Sequence, residues 1–196
     1  MDTDIARRLQ EVKDNLPDST RLVAVSKFHP AELIREAYDA GQRLFGESRE
    51  QELAAKVKEL PRDIEWHFIG HLQTNKVKFI APYISMIDAV DSLKLLREIN
   101  KQAAANGRVI KVLLELHIAE EETKYGLSLD ACRELLEKGE WREMKNVQIC
   151  GLMMMASHVS DEDVIRKEFC LCIFCTLSIR NALFYSSTIL LCNISK

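Results

Sequence analysis

Apolar residues in this chain follow two alternating rhythms. Short runs that are apolar over most of their length occupy 21–27, 43–46, 65–69, 86–90, 111–118 and 147–155. Such runs, rich in Val, Ile, Leu and Met, predict buried strands. Between them the spacing becomes helical. Ile5, Leu9, Val12 and Leu16 mark a first helix over 2–15, which Pro17 ends. Further helices are predicted at 31–40, 48–60, 74–80, from Ser92 to Ala105, from Ser128 to Gly139, and from Asp161 to about Phe169. Pro30 and Glu32 suit a helix start, Asp91-Ser92 and Ser128 suit N-caps, and Gly41, Asn106-Gly107 and Gly139 suit helix ends.

Strands alternating with helices are the signature of parallel βα units, so the fold class is α/β. A doubly wound open sheet and an eight-unit barrel both satisfy the pattern. No Gly-x-Gly-x-x-Gly follows the first strand, which weighs against a dinucleotide-binding sheet. The residues just past the strands are unusually polar: Lys27, Glu47-Ser48, Gly70-His71, Asp91-Ser92, His117 to Lys124 and Met154 to His158. A barrel collects its functional groups there, so a TIM-type (β/α)8 barrel is expected, with six of its units recognisable.

Composition divides the chain. Of 196 residues, 1–168 hold every acid and carry about -5, while 169–196 carry +2 with no Asp, Glu, Gly or Pro. Cys170, Cys172, Cys175 and Cys192 crowd into that second stretch. Two segments are expected: a barrel domain over 1–168 and an aberrant apolar, Cys-rich tail over 169–196. The tail's cysteines lack the paired Cys-x-x-Cys motifs and neighbouring histidine of a zinc site, so no metal is assigned. Arg180-Asn181 interrupts the apolar run short of a membrane span, so no membrane association is expected. A net charge of -3 gives no basic footprint for nucleic acid. The charged start, Met1 to Arg8, does not resemble a signal peptide, which leaves the cytoplasm as the expected location.

Lys27 carries the sharpest chemistry. A lysine after a strand is most often a solvated end, but a desolvated one can act as a nucleophilic amine. Such an amine condenses with aldehydes, pyridoxal phosphate among them. His67, flanked by Trp66 and Phe68, reads at least as well as a core histidine as it does a ligand contact. The run Gly70-His71-Leu72-Gln73-Thr74-Asn75-Lys76 offers donors and a cation suited to an anion or partner. Met153 to Met155 suit either strand core or the wall beside a flat ring, with core the plainer account. Glu120 to Glu122 read as a solvated loop, and Lys124 as a second amine near the site.

Ala24-Val25-Ser26-Lys27, Phe45-Gly46-Glu47, the run Trp66 to Lys76, Val90-Asp91-Ser92, Lys124-Tyr125-Gly126 and Gly151-Leu152-Met153 occur in that order. Together they closely resemble the pyridoxal phosphate homeostasis proteins, which share the fold of the alanine racemase N-terminal domain. The resemblance covers roughly residues 3–168. It implies pyridoxal 5'-phosphate as cofactor, held as a Schiff base by Lys27, with His67, Gly70, Asn75 and Met153 as further cofactor-binding residues. It implies a carrier role with no settled catalytic reaction, no catalytic residue, a monomer, and pyridoxal phosphate-dependent apoenzymes as partners.

Ser48 stands where many relatives have asparagine, so no ring contact is carried over there. Relatives also continue into two further strands bringing a serine loop, a Gly-Ser-Thr phosphate turn and an arginine facing the pyridine nitrogen. Residues 169–196 offer none of these. The expectation is therefore a barrel truncated at its phosphate end, open along the first and sixth strands, poorly soluble and weak in cofactor retention. A racemase-like or aldolase-like enzyme acting through Lys27, and a degenerate non-binding product, are the alternatives.

Overall fold

Seven parallel strands hydrogen-bond side by side in the order β6-β5-β4-β3-β2-β1-β7 in the computed structural model of the chain. The structure describes residues 4–117 and 125–155, scattered positions between Asp161 and Cys170, and the backbone of 189–192. The strands are β1 (Arg21–Val25), β2 (Leu44–Glu47), β3 (Glu65–Phe68), β4 (Met86–Val90), β5 (Ile110–Leu116), β6 (Val147–Met154) and β7 (Ile189–Cys192). The helices are α1 (Asp4–Asp14), α2 (Ala31–Asp39), α3 (Glu50–Glu59), α4 (Val77–Ile80), α5 (Leu93–Ala105) and α6 (Leu129–Lys138), with single 3₁₀ turns at Thr74–Lys76 and Glu140–Glu143. Strands β1 to β6 are neighbours in chain order, as successive crossovers through helices demand.

Alternation along each strand separates two apolar layers. One side contributes Ala24, Phe45, Trp66, Phe68, Ile87, Val112, Leu114 and Ile149 to a large core shared with Ile34, Leu53, Ile80, Leu96 and Ile99 of the helices. The other side, the inner face, carries a smaller cluster of Met86, Ala89, Leu113, Cys150 and Met153. At the start of β2 the buried Gln42 amide ties two strands together, donating to the carbonyls of Leu22 (2.8 Å) and Leu44 (2.7 Å).

The expected boundaries hold closely, and where they differ the backbone explains why. Ser92 and Ser128 accept hydrogen bonds from the backbone N–H of Leu95 and Ala131, so both predicted N-caps form. Gly139 ends α6 in the left-handed region (φ 72°). The first strand stops at Val25 instead of reaching Lys27, because Phe28 turns left-handed (φ 65°) and pulls the backbone out of the sheet. Helix α3 begins at Glu50, two residues later than expected, with Arg49 as an extended cap residue. The helix expected from Asp161 to about Phe169 falls mostly outside the described residues.

The edge of β1 requires a correction. That strand was expected to lack a neighbour, yet β7 from the tail pairs with it in parallel, Arg21 opposite Ile189 through Ala24 opposite Cys192. Ile189-Leu190-Leu191-Cys192 is a run of strand-forming residues with no proline or glycine, which is all that backbone pairing asks. Between β6 and β7 no pairing is present among the described residues.

Ser92→Ala removes the side-chain cap of α5 and is expected to destabilise the fold by about 1 kcal/mol. Urea unfolding of the variant against the parent chain measures it.

Candidate functional site at the carboxyl ends of the strands

With all strands parallel, the residues that come after them gather at one end of the sheet. Lys27 stands there after β1, Ser48 after β2, Gly70 and His71 after β3, Asp91 after β4 and His117 after β5. Lys27 lies two residues beyond the end of β1, where the chain turns out of the sheet. Its side chain is half-buried.

The turn that presents Lys27 is held by buried charge. Ser26 Oγ donates to Glu47 Oε1 (2.7 Å), and Lys56 Nζ donates to the same oxygen (2.5 Å) and to the Ser26 carbonyl (2.9 Å). Glu47 is fully buried, and Ser26 and Lys56 are nearly so. The next peptide N–H, that of Phe28, donates to Glu52 Oε2 (3.0 Å). Phe28 itself is exposed, with the Arg49 guanidinium 4.9 Å from its ring centre. A left-handed conformation costs a residue with a side chain roughly 1–2 kcal/mol, and burial does not offset it at this position.

Of the other expected residues, two lie on the inner face. His67 alternates with core residues Trp66 and Phe68, and its Nδ1 lies 3.1 Å from both carboxylate oxygens of Asp88. Both residues are buried. A carboxylate accepts only, so Nδ1 carries the hydrogen and the core-histidine account describes this geometry. Met153 packs in the inner cluster, while Met154 faces the helices and Met155 is exposed, which is the alternation of a strand.

Gly70 and Asn75 sit elsewhere. A Cβ on Gly70 would lie 2.7 Å from the Ser48 carbonyl oxygen and 2.9 Å from its Cα, so glycine is needed where the β3 exit crosses the β2 exit. Asn75 is exposed and lines a shallow depression of about 370 Å³ with His71, Gln73, Thr74, Asp91 and Ser92. There His71 pairs with Asp91 (3.2 Å) and stacks on Tyr125 with ring centres 3.7 Å apart. His67 and Met153 thus lie on the side of the sheet away from the helices, Lys27 follows β1 at its carboxyl end, and Asn75 lies in a separate depression on the rim. Lys124 and Glu120 to Glu122 lie outside the described residues.

Sequence reasoning missed Lys56, Asp88 and Glu115. Asp88 and Glu115 had a visible signal, a lone acid inside an apolar strand run, Met86 to Val90 and Leu113 to Leu116. Lys56 had only its i, i+4 spacing to Glu52, which is common on exposed helices. Glu115 is buried, its Oε2 meets no hydrogen-bond partner, and burial, then the nearby Asp91 charge, push its carboxyl up from 4.5 to about 7. Among the described residues His117 Nδ1, two residues on, likewise meets no hydrogen-bond partner.

Comparison with known proteins identifies relatives in sequence and in structure. The family described as alanine racemase, N-terminal domain, matches residues 3–191. The pyridoxal phosphate homeostasis protein of Aquifex aeolicus is 39% identical over 150 residues, covering 76% of this chain and 65% of that protein. The protein of the same name from Escherichia coli K12 is 34% identical over 172 residues, covering 81% of this chain and 73% of that one. The structure of PipY from Synechococcus elongatus PCC7942 with PLP bound superimposes with a TM-score of 0.86 at 33% identity, covering 95% of this chain and 87% of PipY. The chain therefore spans a little under two thirds of the Aquifex relative's length.

Between pH 4.5 and about 7 the folded chain keeps a proton on Glu115 that the unfolded chain has released. This group's contribution to stability therefore falls as pH rises through that window, and its cost, on the order of 1–3 kcal/mol, is complete above it. Glu115→Gln is expected to abolish this fall and to exceed the parent chain in urea midpoint at about pH 8; equal midpoints there would refute the assignment.

Proposed function

This chain belongs to the family of the pyridoxal phosphate homeostasis proteins, built on the alanine racemase N-terminal domain, and from that premise we propose that it binds pyridoxal 5'-phosphate through Lys27. The observation that carries the reading is the amine itself: half-buried, at the carboxyl end of β1, on a turn fixed by buried side chains. When bound, the cofactor supplies an aldehyde that can take up an amine and release water.

The residues present fit the ring end of that molecule. The inner face offers an apolar wall of Met86, Leu113 and Met153, and β5 adds two buried polar atoms without protein partners, Glu115 Oε2 and His117 Nδ1. In this reading Lys27 forms the covalent link, and His67, oriented by Asp88, and Met153 bound the ring. Gly70 keeps the β3 exit tight against Ser48, and Asn75 contributes a donor at the rim. The phosphate end is poorer. Residues 152–196 contain no glycine, so they offer no glycine N–H groups to a phosphate. Binding is accordingly expected to be reversible and weak.

The role is that of a carrier that takes up the cofactor and passes it to pyridoxal phosphate-dependent apoenzymes, acting as a cytoplasmic monomer and not as a catalyst. Among the described residues no helix is long and apolar enough to cross a membrane.

Adding pyridoxal 5'-phosphate to the chain is expected to raise a visible Schiff-base absorption band that fades on dialysis, and Lys27→Ala is expected to raise none. An identical band in Lys27→Ala would remove the covalent assignment, and full occupancy after dialysis would remove the weak-retention reading.

A further inference from the structure

Both peptide groups that flank the Cα of Lys27 are held by side chains of one helix. The peptide joining Ser26 to Lys27 has its carbonyl bonded to Lys56 Nζ (2.9 Å), and the peptide joining Lys27 to Phe28 has its N–H bonded to Glu52 Oε2 (3.0 Å). Lys56 and Glu52 stand one turn apart on α3, with Nζ and Oε2 3.6 Å from each other. Behind them Glu47, fully buried on β2, receives both Lys56 and the Ser26 hydroxyl on Oε1.

Such a cluster is a poor device for stability alone. Desolvating an ammonium and a carboxylate costs about as much as their attraction returns, and apolar residues of equal volume commonly serve a fold as well. A buried ion pair can fix geometry, and here the Lys56 ammonium makes two hydrogen bonds, to the Ser26 carbonyl and to Glu47, with Glu52 3.6 Å away. Here the geometry specified is a left-handed turn on an exposed phenylalanine, a conformation that needs surrounding structure to persist. Its product is the direction in which the Lys27 side chain leaves the backbone.

We propose that Lys56, backed by Glu47 and paired with Glu52, is a positioning residue that aims the Lys27 amine. The proposal rests on Lys27 being the reacting amine. Lys56 itself forms no bond to the cofactor, and its ammonium is engaged by protein oxygens on Ser26 and Glu47.

Two measurements on the full chain test it. Stopped-flow absorbance with pyridoxal 5'-phosphate follows the appearance of the Schiff-base band. Competitive acetylation with acetic anhydride across a range of pH, mapped by mass spectrometry, reports Lys27 reactivity with no cofactor present. Lys56→Met is expected to slow band formation at least tenfold and to change Lys27 acetylation at least threefold, together with a lower thermal midpoint because the buried Glu47 carboxylate loses its cation. Glu52→Ala, which alters a partly exposed side chain and spares the core, is expected to slow the band severalfold, and Glu52→Gln, which keeps an acceptor oxygen for Phe28 N–H, to restore it. Parental rates and acetylation in both Lys56→Met and Glu52→Ala would overturn the proposal. Should the parent chain form no band, altered acetylation in the variants would still support the positioning role while the cofactor reading falls. If Lys56→Met fails to fold, the Glu52 pair decides the matter.

Discussion

The rim of this sheet depends on one awkward turn. Strand β1 runs straight for five residues and then must leave the sheet at once, so that the side chain after Ser26 clears its neighbours. Phe28 accomplishes this in a region of backbone space that residues with a Cβ avoid. The conformation persists because the hydrogen-bonding groups before and after Lys27 already have fixed partners on α3. Lys56 is fixed in turn by Glu47 on the neighbouring strand, whose own carbonyl accepts the N–H of Ile69 (2.8 Å). Three consecutive strands and one helix therefore converge on the placement of a single amine.

The rest of the inner face shows the same economy of charge. His67 and Asp88 satisfy one another, whereas Glu115 keeps an unpartnered oxygen and a raised pKa. An apolar residue at Glu115 would make a more stable strand, since burying a carboxyl without a partner works against folding. Sites that prepare for a ligand commonly carry this kind of local deficit. The deficit here lies on the side of the sheet that also bears Met153 and Cys150, opposite the helices.

How much of this was legible in the sequence depends on the kind of signal each feature leaves. Strand and helix identities were legible because buried parallel strands and amphipathic helices impose periodicities of two and 3.6 on their own residues. Ser92, Ser128 and Gly139 were legible because capping is local chemistry. Lys27 stood out as the only lysine closing a β-branched run, though the strand's true end at Val25 did not, because nothing in Phe28 announces a left-handed backbone. Lys56 was invisible for a related reason. Its partners, Ser26 and Glu47, are thirty and nine residues away, and only the fold brings them together. At Gly70 two backbones cross too closely for a side chain, a constraint set by Ser48 and not by any local pattern.

The tail separates two tasks that the last units of a barrel ordinarily perform together. Covering the edge of β1 requires backbone N–H and C=O groups in register and residues content in a strand, and Ile189–Cys192 meets that requirement without any special sequence. Gripping a phosphate requires several N–H groups converging on one point, which in turn requires glycine or a well-placed helix start. Residues 152–196 contain no glycine, so an anion cup there would have to rely on backbone that carries side chains. Edge pairing tolerates such substitution more readily than a glycine-lined anion cup does. The two halves of the cofactor site are thus under different constraints. The lysine end draws its side-chain support from β1, β2 and α3, while the residues beyond 168 reach it only through backbone pairing of β7 along β1.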